Sequence, residues 1–395
     1  MVHRTDRILD NIPVGALGMI SLPGCEEMGN RVNDYLVKWR KETNHAHKDN
    51  IVFSGYENDT YLINAKVPRF GSGEAKGIIE ESVRGKDLYL MVDVCNYSLT
   101  YSLSGNTNHM SPDDHFQNLK RIIAAVGGKA RRLNVIMPFL YESRQHKRSA
   151  RESLDCALAL QELVRMGVDN IITFDAHDPR VQNAIPLSGF ETVRPTYQFI
   201  KGLLRSFDDL QLDSEHLMAI SPDEGATGRA IYFANVLGID MGMFYKRRDY
   251  TQVVNGRNPI VAHEFLGSSV EGKDVIILDD MISSGDSILD VAKQLKARKA
   301  KRIFAAATFG LFTNGMEKFD EAYEEGLIHG ILTTNLIYQT PELLSRPYYI
   351  NCDMSKYVAL LIDTLNHDGS ISGLLDPFDR IQAAVEAYKK GEPIE

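Results

Sequence analysis

Val275 to Ser287 reads VIILDDMISSGDS: four apolar residues, two adjacent acids, a run of small residues, and then the start of a helical period. A short apolar run closed by turn residues is the pattern of a strand buried on both faces. At its end, Asp279 and Asp280 can accept hydrogen bonds from the vicinal hydroxyls of a ribose. Ser283, Ser284, Gly285 and Ser287 offer hydroxyls and unobstructed N–H groups where a helix begins, and peptide dipoles there favour a phosphate dianion. The same residue types also serve as plain caps and turns. The doubled acid, however, exceeds what capping alone requires. A sugar end and a phosphate end are thus expected side by side on one strand–turn–helix unit.

Working outward, similar apolar runs recur at Leu88–Val94, Leu133–Phe139, Asn170–Phe174, Leu217–Ile220, Met241–Tyr245 and Ile303–Phe309. Helical periods fall between them at His115–Val126, Ser149–Met166, Thr227–Leu237 and Ser287–Arg298. Strand and helix alternating over two successive stretches of about 130 residues predict two doubly wound α/β domains with mainly parallel sheets, divided near Arg194-Pro195. Ligands are then expected beyond the carboxyl ends of the strands. The polar stretches Asn44–Asn58 and Asn96–Asp114 read as surface loops or insertions, and Asp376–Lys390 reads as a terminal amphipathic helix.

The chain has 395 residues, 44% of them hydrophobic and 25% charged, enough for two or three domains with a sizeable core. A net charge of -9 argues against a surface built for nucleic acid. Cys25, Cys95, Cys156 and Cys352 are scattered with no CxxC pair, which suits a reducing compartment. No stretch approaches the roughly 20 apolar residues of a membrane span, and the N-terminus lacks a secretory core. The expectation is a cytoplasmic protein with neither membrane nor nucleic-acid partners.

Four further segments carry chemistry. NIITFDAHDP puts Asp175 and His177 at a strand end, where the imidazole serves a magnesium ion, a nucleotide phosphate, or simply a turn beside a capping Asp. AISPDEGATGRA leads from a strand through Asp223 into a helix, so that Asp223 is either a magnesium ligand or a cap. Lys246, Arg247 and Arg248 follow the strand MGMFY and precede a long polar segment, Asp249–His263, read as a mobile loop. A closing basic loop is what an in-line phosphoryl-type transfer uses, although three cations on a loop are more commonly a solvated patch. PFLYESRQHKR presents Arg144, Gln145, His146 and Lys147 after another strand, a partner for polyphosphate or a basic loop. Two lookalikes fail. GSSVEGK, Gly267–Lys273, has P-loop spacing but continues with Asp274 and precedes a strand, and FGSGEAKG, Phe70–Gly77, places its third glycine one residue too late for a dinucleotide fingerprint.

Taken in order, these segments resemble the ribose-phosphate pyrophosphokinase family. Its FSDGE segment is matched by Phe70-Gly71-Ser72-Gly73-Glu74, with a similar VRGKDLYL run behind it, and its YARQD by Tyr141 through His146 with Arg144 and Gln145 in place. Its DLH corresponds to Asp175-Ala176-His177, SPD-x-G to Ser221–Gly225, KRR to Lys246–Arg248 and DDMI to Asp279–Ile282. The similarity extends from about Ile20 to Asn366. Ser72, His146 and Ser283 stand where the family has aspartates.

The resemblance implies two tandem phosphoribosyltransferase-like domains, 1–194 and 195–345, with a C-terminal segment, 346–395, packing back on the first. It implies transfer of the β,γ-diphosphoryl group of Mg-ATP to ribose 5-phosphate. Phe70, Glu74, Arg144, Gln145 and His177 would contact ATP, His177 and Asp223 would hold Mg2+, and Lys246 and Arg248 would be catalytic. Asp279, Asp280, Ser283, Ser284, Gly285, Asp286 and Ser287 would hold ribose 5-phosphate. A homo-oligomer, dimer or hexamer, is also implied. The alternatives are a phosphoribosyltransferase, which leaves the ATP-side segments unused, and a non-catalytic regulatory paralogue.

Overall fold

The computed structural model describes residues 12–44, 56–248 and 260–394. The chain forms two compact units. The first runs to Arg194 and takes back Asn335–Tyr338 and Asp353–Asp376; the second holds Pro195–Thr334, Gln339–Cys352 and the residues from Pro377 onward.

In the first unit, β1 (Ala16–Ser21) leads into α1 (Glu26–Asn44), followed by a small antiparallel pair, β2 (Ala65–Lys66) and β3 (Ile78–Ile79), and then β4 (Lys86–Met91). A hairpin of β5 (Thr100–Leu103) and β6 (Asn106–His109) precedes α2 (Pro112–Val126). After these come β7 (Arg132–Ile136), α3 (Asp155–Arg165), β8 (Asn170–Phe174) and β9 (Gly189–Val193). The sheet order is β1-β4-β7-β8-β9, every pair parallel. Parallel strands buried on both faces need continuous apolar runs, and Leu88, Leu90, Val135 and Ile171 are sealed in one core with Leu119 and Ile122 of α2 and Leu160 of α3.

The second unit contains α4 (Thr196–Ser206), β10 (Leu217–Ser221), α5 (Thr227–Leu237), β11 (Asp240–Arg248), β12 (Ile260–Leu266), β13 (Asp274–Ile282), α6 (Asp286–Ala297), β14 (Ile303–Gly310), α7 (Glu317–Glu324), β15 (Gly330–Thr334), α8 (Pro341–Leu344) and β16 (Tyr349–Cys352). Its sheet order is β12-β11-β10-β13-β14-β15-β16, parallel except for the β11–β12 edge pair. Alternate residues of β13 enter opposite cores, as a period of two requires. Val275 and Ile277 pack with Ile288, Val291 and Leu295 of α6, whereas Ile276 and Leu278 pack with residues of α4 and α5.

Four readings of the sequence are corrected here. Asn96–Asp114 is not one loop: it carries the β5–β6 hairpin and the start of α2, whose Ser111 and Asp114 form a reciprocal capping box. The helix expected from Ser149 begins only at Asp155, because Ser149 N–H binds the Glu152 side chain (3.2 Å) and local side-chain bonds compete with the helix. Lys246–Arg248 do not follow a strand; they end β11, paired with Ile260–His263 of β12, while 249–259 of the expected loop lie outside the described residues. The segment from 346 is divided. Its α9 (Ser355–Asn366) and α10 (Ser372–Leu375) belong to the first unit, but α11 (Phe378–Lys389) belongs to the second. There Ile381 and Val385 join the core, and Gln382 Nε2 donates to Val236 O at 2.7 Å. Of Asn44–Asn58, residues 45–55 lie outside the described set.

Candidate active site

In the second unit, β10 and β13 run side by side with Ile220 opposite Ile277, so their carboxyl ends deliver Asp223 and Asp279–Asp280 to the same edge of the sheet. Asp280 is buried (3% exposed), and the Arg229 guanidinium of α5 stands 3.9 Å from its carboxylate. Asp279 is part-buried and accepts the Asp280 N–H at 2.9 Å. Burial, then the neighbouring charge of Asp280, and more weakly that of Asp223, push the Asp279 carboxyl well above the usual carboxylate range. Asp223 Oδ1 accepts the N–H groups of Gly225 (2.9 Å) and Ala226 (3.2 Å), which folds the turn before α5. This edge is rich in acid, and a cation or hydroxyl donors would relieve it.

Past Ile282 the chain turns through Ser283, Ser284 and Gly285 into α6. Gly285 is the residue before the helix, at φ 87°, and has no side chain to cap it; of the first N–H groups, that of Asp286 reaches Ser284 Oγ at 3.4 Å. Only glycine adopts this backbone freely. The open helix start is what a phosphate dianion fits. Asp286 is engaged elsewhere: it accepts Ser284 Oγ (2.9 Å) and Lys318 Nζ (2.6 Å), and the Lys318 bond holds its carboxyl below the usual range. Ser287 is exposed in the first turn of α6. Lys246 and Arg248 lie on β11, whose Met243 is opposite Ser221 of β10. The ladder with β12 shifts register between Arg247 and Arg248.

In the first unit, β7 and β8 are neighbours, and the segments that follow them meet. The rings of His146 and His177 lie 5.3 Å apart. Arg144 is exposed, and it lines a cavity of about 110 Å³ with Val94, Pro112, Phe139, Tyr141 and Glu142. Gln145 Nε2 donates to Ser153 O at 2.8 Å. Asp175 is buried with φ 40°, a conformation unfavourable for a residue with a side chain and most often tolerated where geometry serves a function. Phe70–Glu74 forms a tight turn in which Phe70 N–H binds Glu74 O (2.8 Å), leaving the Phe70 ring 53% exposed. Arg69 braces that turn, donating to Gly73 O and to Asp114 Oδ1, each at 2.9 Å, with its guanidinium 4.1 Å from the Tyr101 ring centre.

Magnesium has no ready-made protein cage: among the described residues no group of three or more His, Cys, Asp or Glu side chains is placed to hold a metal. His177 belongs to the first unit and Asp223 to the second. The donor chemistry still suits Mg2+, which is commonly bound by one or two protein groups plus substrate phosphates and water.

The model of the N-terminal domain of ribose phosphate pyrophosphokinase matches residues 17–167, and that of the phosphoribosyl transferase domain matches 194–336. The chain belongs to the ribose-phosphate pyrophosphokinase family. The ribose-phosphate pyrophosphokinase of Vibrio parahaemolyticus is 29% identical over 80% of this chain and 92% of its own length, and that of Mycoplasma genitalium is 29% identical over 68% and 74%. The crystal structure of phosphoribosylpyrophosphate synthetase from Mycobacterium smegmatis superposes with a TM-score of 0.70 at 20% identity, covering 89% of this chain and 99% of that one. The fold is accordingly two phosphoribosyltransferase-like α/β domains with mainly parallel sheets. No helix among the described residues is long and apolar enough to cross a membrane.

Of the three departures from the pattern of the ribose-phosphate pyrophosphokinases, Ser72 has a side-chain partner, His146 stands near a carboxylate, and Ser283 is tied through its backbone. Ser72 Oγ donates to Glu74 (3.1 Å), His146 Nε2 stands 3.6 Å from Asp178, and Ser283 O accepts Thr313 N–H (3.0 Å). Sequence reasoning missed Arg69, Arg229, Asp178 and Lys318. A signal existed for the Arg69 partner, since Ser111-x-x-Asp114 is a capping-box pattern, and for Asp178, which precedes Pro179 as a cap; for Arg229 and Lys318, partners distant in sequence leave none.

Proposed function

We propose that this chain transfers the β,γ-diphosphoryl group of Mg-ATP to O1 of ribose 5-phosphate, giving 5-phosphoribosyl 1-diphosphate and AMP. One observation carries the reading: a single chain holds both an open, acid-flanked helix start after β13 and the paired segments of Arg144–Gln145 and His177 after β7 and β8. A phosphoribosyltransferase would need only the first.

Asp279 and Asp280 accept the ribose hydroxyls, and the Ser283–Ser287 turn takes the 5-phosphate with its N–H groups. Arg144, Gln145 and His177 bind the nucleotide phosphates, while Phe70 and Glu74 serve the adenine. His177 and Asp223 are each a candidate magnesium ligand, and the ion, when bound, would neutralise the polyphosphate. Lys246 and Arg248 supply positive charge where negative charge develops during in-line transfer, the usual source of catalysis in phosphoryl chemistry. Fixing both reactants contributes the rest. The reading includes a homo-oligomer, dimer or hexamer, whose half-exposed Phe70 serves a neighbouring copy. It also includes a cytoplasmic location, supported by four free cysteines.

The test is incubation with Mg-ATP and ribose 5-phosphate, with chromatographic detection of AMP and product. Lys246→Ala should lower turnover about 100-fold or more with little change in sugar affinity. If no AMP forms while both ligands bind, the chain is a regulatory paralogue.

A further inference from the structure

His146 is nearly enclosed, with 12% of its side chain exposed and Nε2 3.6 Å from Asp178 Oδ2. Its Nδ1 is buried and has no hydrogen-bond partner. Asp178 is fixed in place: it accepts the Arg180 N–H (2.9 Å), grips the Arg180 guanidinium through both oxygens, and caps the 3-10 turn at Pro179–Ala184. At 3.6 Å the carboxylate is too far for a hydrogen bond with the imidazole. Its charge nevertheless favours the tautomer with the proton on Nε2, leaving a bare lone pair on Nδ1. A buried acceptor with no donor is costly, so this nitrogen calls for a partner, such as a cation.

The geometry selects the cation. A metal about 2.1 Å from an imidazole nitrogen lies roughly 3.2 Å from the ring centre, so two imidazoles sharing one ion at octahedral to tetrahedral angles have centres roughly 4.5 to 5.3 Å apart. His146 and His177 are 5.3 Å apart with their planes inclined at 55°. A carboxylate hydrogen-bonded to the far nitrogen is the usual support of a ligating histidine; Asp178 stands on that side, its charge acting at 3.6 Å without a hydrogen bond.

We propose that Nδ1 of His146 is a ligand, beside His177, for the divalent cation that accompanies the nucleotide, and that the site therefore favours a nitrogen-binding ion of the Co2+ class over Mg2+. The inference rests on the proposed role of His177 on the ATP side. His146 replaces a carboxylate of the family pattern, exchanging an oxygen donor for a nitrogen donor, and imidazole suits late first-row ions better than Mg2+. Phosphate oxygens and water would complete the coordination.

The test titrates Co2+ into the full chain with α,β-methylene-ATP, followed by visible absorption, for the native protein, His146→Asn and His146→Asp. Thermal melting identifies any variant that fails to fold. Expected are a Co2+ affinity about 10- to 100-fold weaker in His146→Asn, with a weakened and shifted absorption band. In His146→Asp the ratio of Co2+- to Mg2+-supported kcat/KM should drop about tenfold. Folded variants whose Co2+ affinity and band stay within about twofold of the native protein overturn the assignment. AMP formation by the native protein with Mg2+ is read separately. Its absence beside a His146-dependent band removes the activity and keeps the ligand, and its presence beside a His146-independent band does the reverse.

Discussion

The ring of Phe319 closes against the α-carbon of Gly285, so that a methyl group placed there would lie 2.3 Å from Phe319 Cζ. Two independent constraints therefore demand glycine at the head of α6, the ring and the φ of 87°. Gly285→Ala should destabilise the protein by about 1–3 kcal/mol through overpacking and backbone strain, and weaken ribose 5-phosphate binding at least about tenfold. Thermal unfolding and calorimetric titration of the sugar phosphate check both. Unchanged sugar affinity would remove the turn from the phosphate site.

Asp279 sets a pH dependence. Its carboxyl is held well above the ordinary range by burial and by the charges of Asp280 and Asp223. The folded chain thus keeps a proton that the unfolded chain releases near pH 4, and the stability this supplies at low pH is lost as pH rises through the folded value. Asp279→Asn should flatten the decline in urea-unfolding stability as pH rises above about 4. An unaltered slope places the proton on another group.

Arg69 holds the Phe70–Glu74 turn through Gly73, Asp114 and Tyr101, none of them a residue read as touching ATP. Arg69→Met should raise the KM for ATP about tenfold by misplacing the turn, with the KM for ribose 5-phosphate within about twofold of native. Steady-state kinetics with each substrate varied in turn separates the two. A proportional rise in both would make Arg69 a general stabiliser.

Arg40 of α1 is 1% exposed, lies over the rings of Tyr56 (4.5 Å) and Tyr61 (4.9 Å), and donates to Asn366 Oδ1 (2.6 Å) and Asp363 Oδ1 (3.4 Å) of α9. Removing one partner of a buried ion pair leaves the other's charge poorly compensated. Arg40→Met is expected to lose about 3–5 kcal/mol by urea unfolding, with AMP formation per folded molecule unchanged. A loss below about 1 kcal/mol would mean that Asp363 is satisfied without Arg40.

Strand and helix alternation, and the residue types of each strand end, were legible because buried parallel strands require uninterrupted apolar runs and the turns after them carry the polar groups. VIIL became the centre of β13, NIITF became β8 unchanged, and Thr227–Leu237 became α5 unchanged. β1, β9, β15 and β16 escaped notice, being short or interrupted by Gly, Glu or Thr, as did the edge strand β12, which runs through His263 and Glu264. Lys246–Arg248 extend a strand because the edge ladder with β12 supplies their backbone partners, which charged side chains disguise in the sequence.

The chain by itself determined the chemistry at each strand end, since a carboxylate pair, a small-residue turn or a basic trio is covalent information. Only tertiary structure decided which of these residues work as groups. Sheet order brings the ends of β10 and β13 together and sets His146 beside His177, and long-range packing presses Phe319 on Gly285 and fastens Arg69 to Asp114. The physical reason is that charge pairing, desolvation and steric exclusion act over a few ångströms of space, whatever the distance along the chain.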